Sequence, residues 1–419
     1  MRMRAPIAVP TMLAVAAAVA GVACSGPADD CAQLRADLKK CGLSATSLAC
    51  ERIDQSALES MVSRFAESGC DGARAADGTA ADDAVDPRLC KAAGWSCPEA
   101  PTPAPGTTRP AYPLVFVSGI DESAVFDWNP RIAADLNAAF GAGTAFHVKV
   151  KGWSTTPDRA GDLWASLDAL RAQTGTKLNL LCYAVAGLDC RYLASKSGLF
   201  DGDRSSYQAV LDTVASITTI ATPHRGTRVA DAALAALSSG TAQDILGALA
   251  GSSDTSLLPS GGALERTLEG LTMDASLPFN ARIGDAEGIV YQSFAGVSHV
   301  LAKSSATSEA SIRKHCAGPD GDLRLFRHDG DNDALNEVLW VTAPWASTSR
   351  SDDGAVVASP SDGMVSVASA KWGEFRGCIP ADHYDVIGQI GHSTRDGQSG
   401  FDAPRFYRWV ASDLAAKGL

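Results

Sequence analysis

The sequence contains no run of lysine and arginine, and no Cys-x-x-Cys pair or neighbouring histidine among its N-terminal cysteines. It has no internal repeat, and its one strand–helix junction of nucleophile-elbow type has no serine. Each absence removes a class of function. With 36 Lys and Arg against 48 Asp and Glu, the formal net charge is −12, which excludes a nucleic-acid binder that needs a basic face. Without Cys-x-x-Cys spacing, zinc stapling of the N-terminal cysteines is disfavoured. Without a repeat, solenoid and propeller architectures drop out.

The N-terminus carries Arg2 and Arg4, then an apolar stretch of small residues from Pro10 to Ala23. It is too short and alanine-rich for a membrane span and reads as an export signal, residues 1–23. Gly21-Val22-Ala23-Cys24 is similar to a bacterial lipoprotein cleavage site. The expectation is an exported chain, either anchored to the cell envelope through a lipidated Cys24 or plainly secreted. Ten of the 11 cysteines follow Cys24, an even number that implies disulfides in an oxidising compartment. Six of them (Cys31, Cys41, Cys50, Cys70, Cys90 and Cys97) fall in a cysteine-rich module at 24–97. Its residues Asp54 to Ser68 have Leu58, Met61, Val62 and Phe65 at helical spacing. The proline-dense stretch 98–111 is an extended linker.

From 112 onward the pattern is that of an α/β domain with a mainly parallel sheet. Leu114 to Val117 is a continuous apolar run, as expected of a strand buried on both faces. Helices are predicted over Ile132–Phe140 and Asp158–Thr174, and strands over Ala145–Val150 and Val214–Ile220. Helical segments at Val229–Leu237, Ala242–Leu249 and Leu264–Leu271 suggest a lid inserted over about 227–285. Strands are predicted again at Ile289–Phe294 and Val338–Thr342, a loop at Ser347–Gly354, and a closing helix within Phe401–Leu419.

The stretch LNLLCYAVAGLDCRYL, Leu178 to Leu193, organises the rest. A buried strand runs through a tight turn into a helix, the layout of a nucleophile elbow of the form G-x-S-x-G. Here the five positions are Cys182, Tyr183, Ala184, Val185 and Ala186. The residues at the glycine positions are small enough for the turn, but alanine stands at the nucleophile position and cannot attack a carbonyl. Cys182 and Cys190 are expected to be buried thiols.

Six stretches in order resemble the bacterial triacylglycerol lipases of the Burkholderia and Pseudomonas type, members of the α/β-hydrolase superfamily. They are YPLVFVSGI at 112–120, GLDCRYL at 187–193, ATPHRG at 221–226, LTMDASLPFN at 271–280, SDGMVSV at 361–367 and DHYDVIGQ at 382–389. The resemblance covers about 112–419. It implies an α/β-hydrolase fold with an inserted lid, Asp362 as the triad acid, His383 as the general base and Ala184 at the place of the nucleophile. It also implies an oxyanion hole made of the backbone N–H groups of Ile120 and Val185, which survives side-chain change. Ser118 replaces the histidine that the family carries beside that hole. His224 in TPHRG is expected to pack after a strand, and His392 lacks the family context of a base.

The same resemblance places Asp385 and Gln389 at a structural calcium site, with Asp333 as an upstream carboxylate; such sites bind a hard cation through oxygen. Two functions are then open. The first is a lipase-like protein that no longer hydrolyses but binds a lipid, an acyl chain or a protein partner in a lid-covered pocket. The second is an active carboxylic-ester hydrolase with a displaced nucleophile, for which Ser118 is the one substitute within reach.

Overall fold

In the computed structural model the described residues are 27–40, 58, 62, 108–120, 126–239, 245, 258–259, 262–300, 311–312, 314–317, 333–350, 355–390, 394–396 and 399–419. The export segment, Cys24, most of the cysteine-rich module and of the linker, the helix expected at 242–249 apart from Ile245, which is helical, and His392 lie outside them. Within the module, Leu58 and Val62 of the expected helix are helical. A further helix, α1 (Pro27–Lys40), precedes it. It buries Leu34 and Leu38 one turn apart and ends on Lys39 and Lys40, which complement its C-terminal dipole. Cys31 on this helix is disulfide-bonded.

The hydrolase-like region is a parallel sheet of six strands: β1 (Leu114–Val117), β2 (Ala145–Val148), β3 (Leu178–Tyr183), β4 (Val214–Ile220), β5 (Val290–Gly296) and, last, β8 (Glu374–Ile379). Their order across the sheet is β2-β1-β3-β4-β5-β8. A separate antiparallel pair, β6 (Thr348–Arg350) and β7 (Val356–Ala358), stands outside it. Because β1 lies between β2 and β3, the strand order reverses there, and the loops leaving β1 and β3 open a crevice at their carboxyl ends.

Alternation along the strands feeds two cores, because a parallel sheet is covered on both faces. Leu114, Phe116, Leu181 and Tyr183 pack on one side. Val115, Val117, Leu178, Leu180 and Cys182 pack on the other. Helices α2 (Pro130–Phe140) and α9 (Ala403–Ala416) cover the first face through Ile132, Leu136, Tyr407, Val410 and Leu414. Helices α3 (Thr156–Thr174) and α4 (Ala186–Ala194) cover the second through Leu163, Leu167 and Leu193. Start signals are explicit: Asn129, Thr155 and Asp402 each cap a helix with a proline in its first turn. Four more helices complete the region: α5 (Arg204–Thr213), α6 (Arg228–Ser239), α7 (Ala263–Leu271) and α8 (Met273–Arg282). This is the α/β-hydrolase architecture that the resemblance implied.

Two expectations fail locally. Val338–Thr342 is not a strand. Glu337–Leu339 is a 3-10 turn, started by the Asn336 side chain accepting the Val338 N–H, and a short helix Ala343–Ala346 follows with its proline at the start. Apolar spacing over five residues does not separate strand from short helix. Conversely, the expected loop from Ser347 contains β6, which pairs with β7 and buries Ser349.

Candidate active site

The elbow is present in full geometry. Strand β3 ends at Tyr183, Ala184 adopts φ 49°, and helix α4 starts two residues later. A left-handed alanine costs about 1–2 kcal/mol, so the surroundings must hold it there. The Ala184 N–H donates to Ile220 O at 2.9 Å, and Gly187 N–H donates to Ala184 O at 3.1 Å. A disulfide between Cys182 and Cys190 ties the strand end to α4, which corrects the expectation of two free thiols. The two residues lie on the same side of the elbow, one at the end of β3 and one a single helical turn into α4. Gly187 is sterically required: a Cβ there would lie 2.1 Å from Thr222 Oγ1. Glycine thus stands at the position where α4 presses on the end of β4, while Cys182 and Ala186 put small side chains on either side of the turn.

Asp362 and His383 form a buried pair, His383 Nδ1 to Asp362 Oδ2 at 2.8 Å. The other carboxylate oxygen accepts the N–H groups of Met364 and Val365 at 2.9 and 2.6 Å. The His383 N–H donates to Asp362 O, and the Tyr183 hydroxyl from the elbow donates to His383 O at 2.7 Å. Carboxylate, imidazole and elbow are thereby locked to one another.

Ile120 and Val185, the residues expected to give oxyanion donors, both line the cavity beside Ala184, and their N–H groups donate to no described residue. Arg159, which sequence reasoning missed, holds this arrangement from behind. Fully buried on α3, it donates to Gly119 O at 2.6 Å, to Ile120 O at 3.2 Å, and to Asp189 on α4 at 2.8 Å. The Asp189 carboxyl is pushed up to about 6 by burial, against the pull of Arg159. Arg159 therefore joins the oxyanion loop to the elbow helix. The signal available in the sequence was only a charge in the apolar face of a predicted helix.

These elements meet in an apolar cavity of about 490 Å³ including its open mouth. Ala184, Val185, Ile120 and His383 form one part of its wall. Leu268, Leu271 and Met364 are among the residues of the remainder, with Val229 and Ala230 of α6.

Ser118 is elsewhere engaged. It is buried at the end of β1, its hydroxyl donates to Asp127 Oδ1 at 2.7 Å, and it lies 3.0 Å from His147 Nε2. That same ring nitrogen is 2.7 Å from Asp127 Oδ1. Serine and aspartate thus share one nitrogen instead of flanking the ring, so no triad relay is built there. His224 packs as expected: burial depresses its basicity, with the Arg191 guanidinium adding to the effect, and its ring bonds Thr219 and Arg191.

No family model matches the chain. Sequence relatives do exist. The chain is 26% identical over 293 residues to triacylglycerol lipase 2 of Saccharomyces cerevisiae, covering 66% of this chain and 70% of the yeast protein. It is 29% identical over 186 residues to a triacylglycerol lipase of Vibrio cholerae, covering 42% of this chain and 55% of that protein. The chain is a lipase-like α/β-hydrolase. Solved structures similar to it include a metagenomic carboxyl esterase, with TM-score 0.46, 17% identity, and 91% and 99% of the two chains covered. Staphylococcus hyicus lipase gives 0.44, 16%, 77% and 99%.

In this lipase-like hydrolase a cluster of buried carboxylates sits beside the histidine. Asp333, Asp382 and Asp385 bring oxygens within 4.8 Å of one another. Sequence reasoning named Asp333 and Asp385 but missed Asp382. The Gln389 side chain is committed elsewhere, donating to Asp127 O at 2.6 Å. Burial pushes all three carboxyls up, Asp382 to about 6 and the other two well above the usual range, where mutual repulsion adds to it. Asp382 accepts the N–H groups of Tyr384, Asp385 and Asn336. Asp333 Oδ2 is buried with no hydrogen-bond partner among the described residues. An unpaired buried carboxylate oxygen facing two others is what a bound cation would resolve.

Proposed function

We propose that this protein is an exported, lipase-like acyl-binding protein that no longer hydrolyses esters. The observation that carries the reading is Ala184. It stands in the left-handed conformation of a nucleophile elbow, on the wall of an apolar cavity shared with His383, and offers only a methyl group. The buried Asp362–His383 pair and the positions of Ile120 and Val185 beside Ala184 support the reading, in which only the atom that would form the acyl bond is lacking. Ligands of the class that the lipase relatives are named for, acyl glycerols and their fragments, suit a cavity so lined, with α6 and α7 as its cover. A displaced nucleophile is less well supported, because Ser118 is bound to Asp127 and does not line the cavity.

Calcium is the proposed occupant of the carboxylate cluster, since three carboxylates suit a hard cation. Asp333, Asp382 and Asp385 would hold it, fixing the loop on which His383 lies between two of them. Export is supported by the N-terminal segment and by buried disulfides, with Cys24 as the proposed site of anchoring.

Labelling with a fluorophosphonate probe and hydrolysis of a short-chain nitrophenyl ester test the reading. The wild-type protein is expected to be inert in both. A covalent adduct on the wild-type chain would sink the proposal, and loss of that adduct in Ser118→Ala would establish the displaced nucleophile.

A further inference from the structure

The segment from Phe126 to Asn129 is bonded to two turns that have different jobs. The first is the end of β1, which leads into Ile120 on the cavity wall. There Gly119 N–H donates to Phe126 O at 3.2 Å, the Ser118 hydroxyl donates to Asp127 Oδ1 at 2.7 Å, and Trp128 Nε1 donates to Val117 O at 2.9 Å. The second is the turn that begins at Asp385 of the carboxylate cluster. Its Gln389 side chain donates to Asp127 O at 2.6 Å, Asn129 Nδ2 donates to Gly388 O at 2.9 Å, and Asn129 N–H donates to Ile387 O at 3.0 Å. A Cβ on Gly388 would lie 3.1 Å from that of Asn129, so the two backbones are also in close contact. Asp127 belongs to both sets of bonds, and its carboxylate is held further by His147 and Lys149 on the β2 side.

His383 also lies between the cluster and the cavity, but bonds outside the cluster already fix it: to the Asp362 carboxylate, to Asp362 O and from the Tyr183 hydroxyl. The 385–389 turn has no such separate anchor on the elbow. It carries Asp385, which faces the unpartnered Asp333 Oδ2, and carboxylates converging on one cation would draw Asp385 toward Asp333 and Asp382. We infer that Asp127 is a positioning residue through which a divalent cation in the cluster acts on the Ile120 end of the cavity, so that cation and acyl ligand bind cooperatively. The inference rests on the acyl-binding and calcium readings above and adds the route between the two sites. Such coupling is reciprocal: each ligand tightens the other by the same factor. It is carried by packed, hydrogen-bonded segments that shift together.

The test is calorimetric titration of the full-length protein with monooctanoylglycerol, with and without calcium chloride, and with calcium chloride, with and without that ligand. Calcium is expected to tighten the acylglycerol about fivefold or more, and the acylglycerol to tighten calcium by the same factor. Two variants cut the route at different places. Asn129→Ser with Gln389→Met keeps a helix-capping oxygen at 129 but removes both side-chain donors to the second turn. Ser118→Ala cuts the bond between Asp127 and β1. In each, both ligands should still bind while the factor falls close to one, which a merely structural role would not produce. Hydrogen exchange needs no variant: calcium should slow exchange of the wild-type peptide containing Gly119. A factor of one in the wild-type protein, or no change in that peptide, would overturn the inference and leave both sites standing. A factor that survives both variants would overturn it in favour of a route through His383. Failure of calcium to bind would remove the cation reading and the coupling with it, and failure of the acylglycerol to bind would remove the acyl-binding reading and the coupling.

Discussion

The two ends of the candidate site differ in the polar groups they carry. Around the loops after β5, β7 and β8, Asp333, Asp362, Asp382, His383 and Asp385 are gathered and buried, with Asp362 accepting from His383 and from two N–H groups. At the junction after β3, Cys182, Ala184 and Ala186 carry no hydroxyl and no glycine, yet the backbone turns through a positive φ at Ala184. Side chains can be lost there without losing the shape, because Ile220, the Cys182–Cys190 disulfide and Gly187 hold the turn by main chain, covalent link and close packing. Geometry and chemistry are therefore separable at this elbow.

The largest test of that separation restores the chemistry alone. Ala184→Ser should raise nitrophenyl ester hydrolysis by about 10³-fold or more over the wild-type background, read as initial rates on purified protein. No gain would mean that the retained half of the site is also out of register. Next is the buried Arg159–Asp189 pair, which links the two halves of the elbow side. Arg159→Met leaves Asp189 buried and uncompensated and should cost about 3–5 kcal/mol of stability in urea denaturation. A small cost would show that the oxyanion loop does not depend on Arg159.

Replacing both Cys182 and Cys190 by alanine should cost about 2–3 kcal/mol, as expected for closing a short loop, and should lower the activity of the Ala184→Ser protein further if the link holds the turn. Gly187→Ala should cost about 1–3 kcal/mol through its clash with Thr222, measured in the same denaturant series.

The opposite end is probed through its carboxylates. With folded values raised above the unfolded ones, the cation-free cluster favours the protonated state. Its contribution to stability is greatest below about 4 and is lost as the pH rises through about 6, the value for Asp382. A cation favours the ionised state, so calcium should raise Tm most at neutral pH and least at acid pH. Melting curves with calcium or chelator across that range decide it, and Asp333→Asn should reduce the calcium effect.

Sequence alone determined the alternation of strands and helices, the strand at Val214–Ile220 to the residue, and the alanine at the turn between β3 and its helix. These are carried by local periodicity and by short motifs, which need no knowledge of what packs on them. It could not decide the features made by residues far apart in the chain. Arg159 reads as a helix charge until its carbonyl partners at Gly119 and Ile120 are placed beside it. Asp382 is one acid among many until Asp333 folds against it. Cys182 and Cys190 pair only because the elbow turns the helix back along its strand. Periodicity reports which face of an element is apolar; charge compensation, cross-linking and the meeting of donors in one cavity depend on three-dimensional proximity, and that proximity arises only when the sheet assembles.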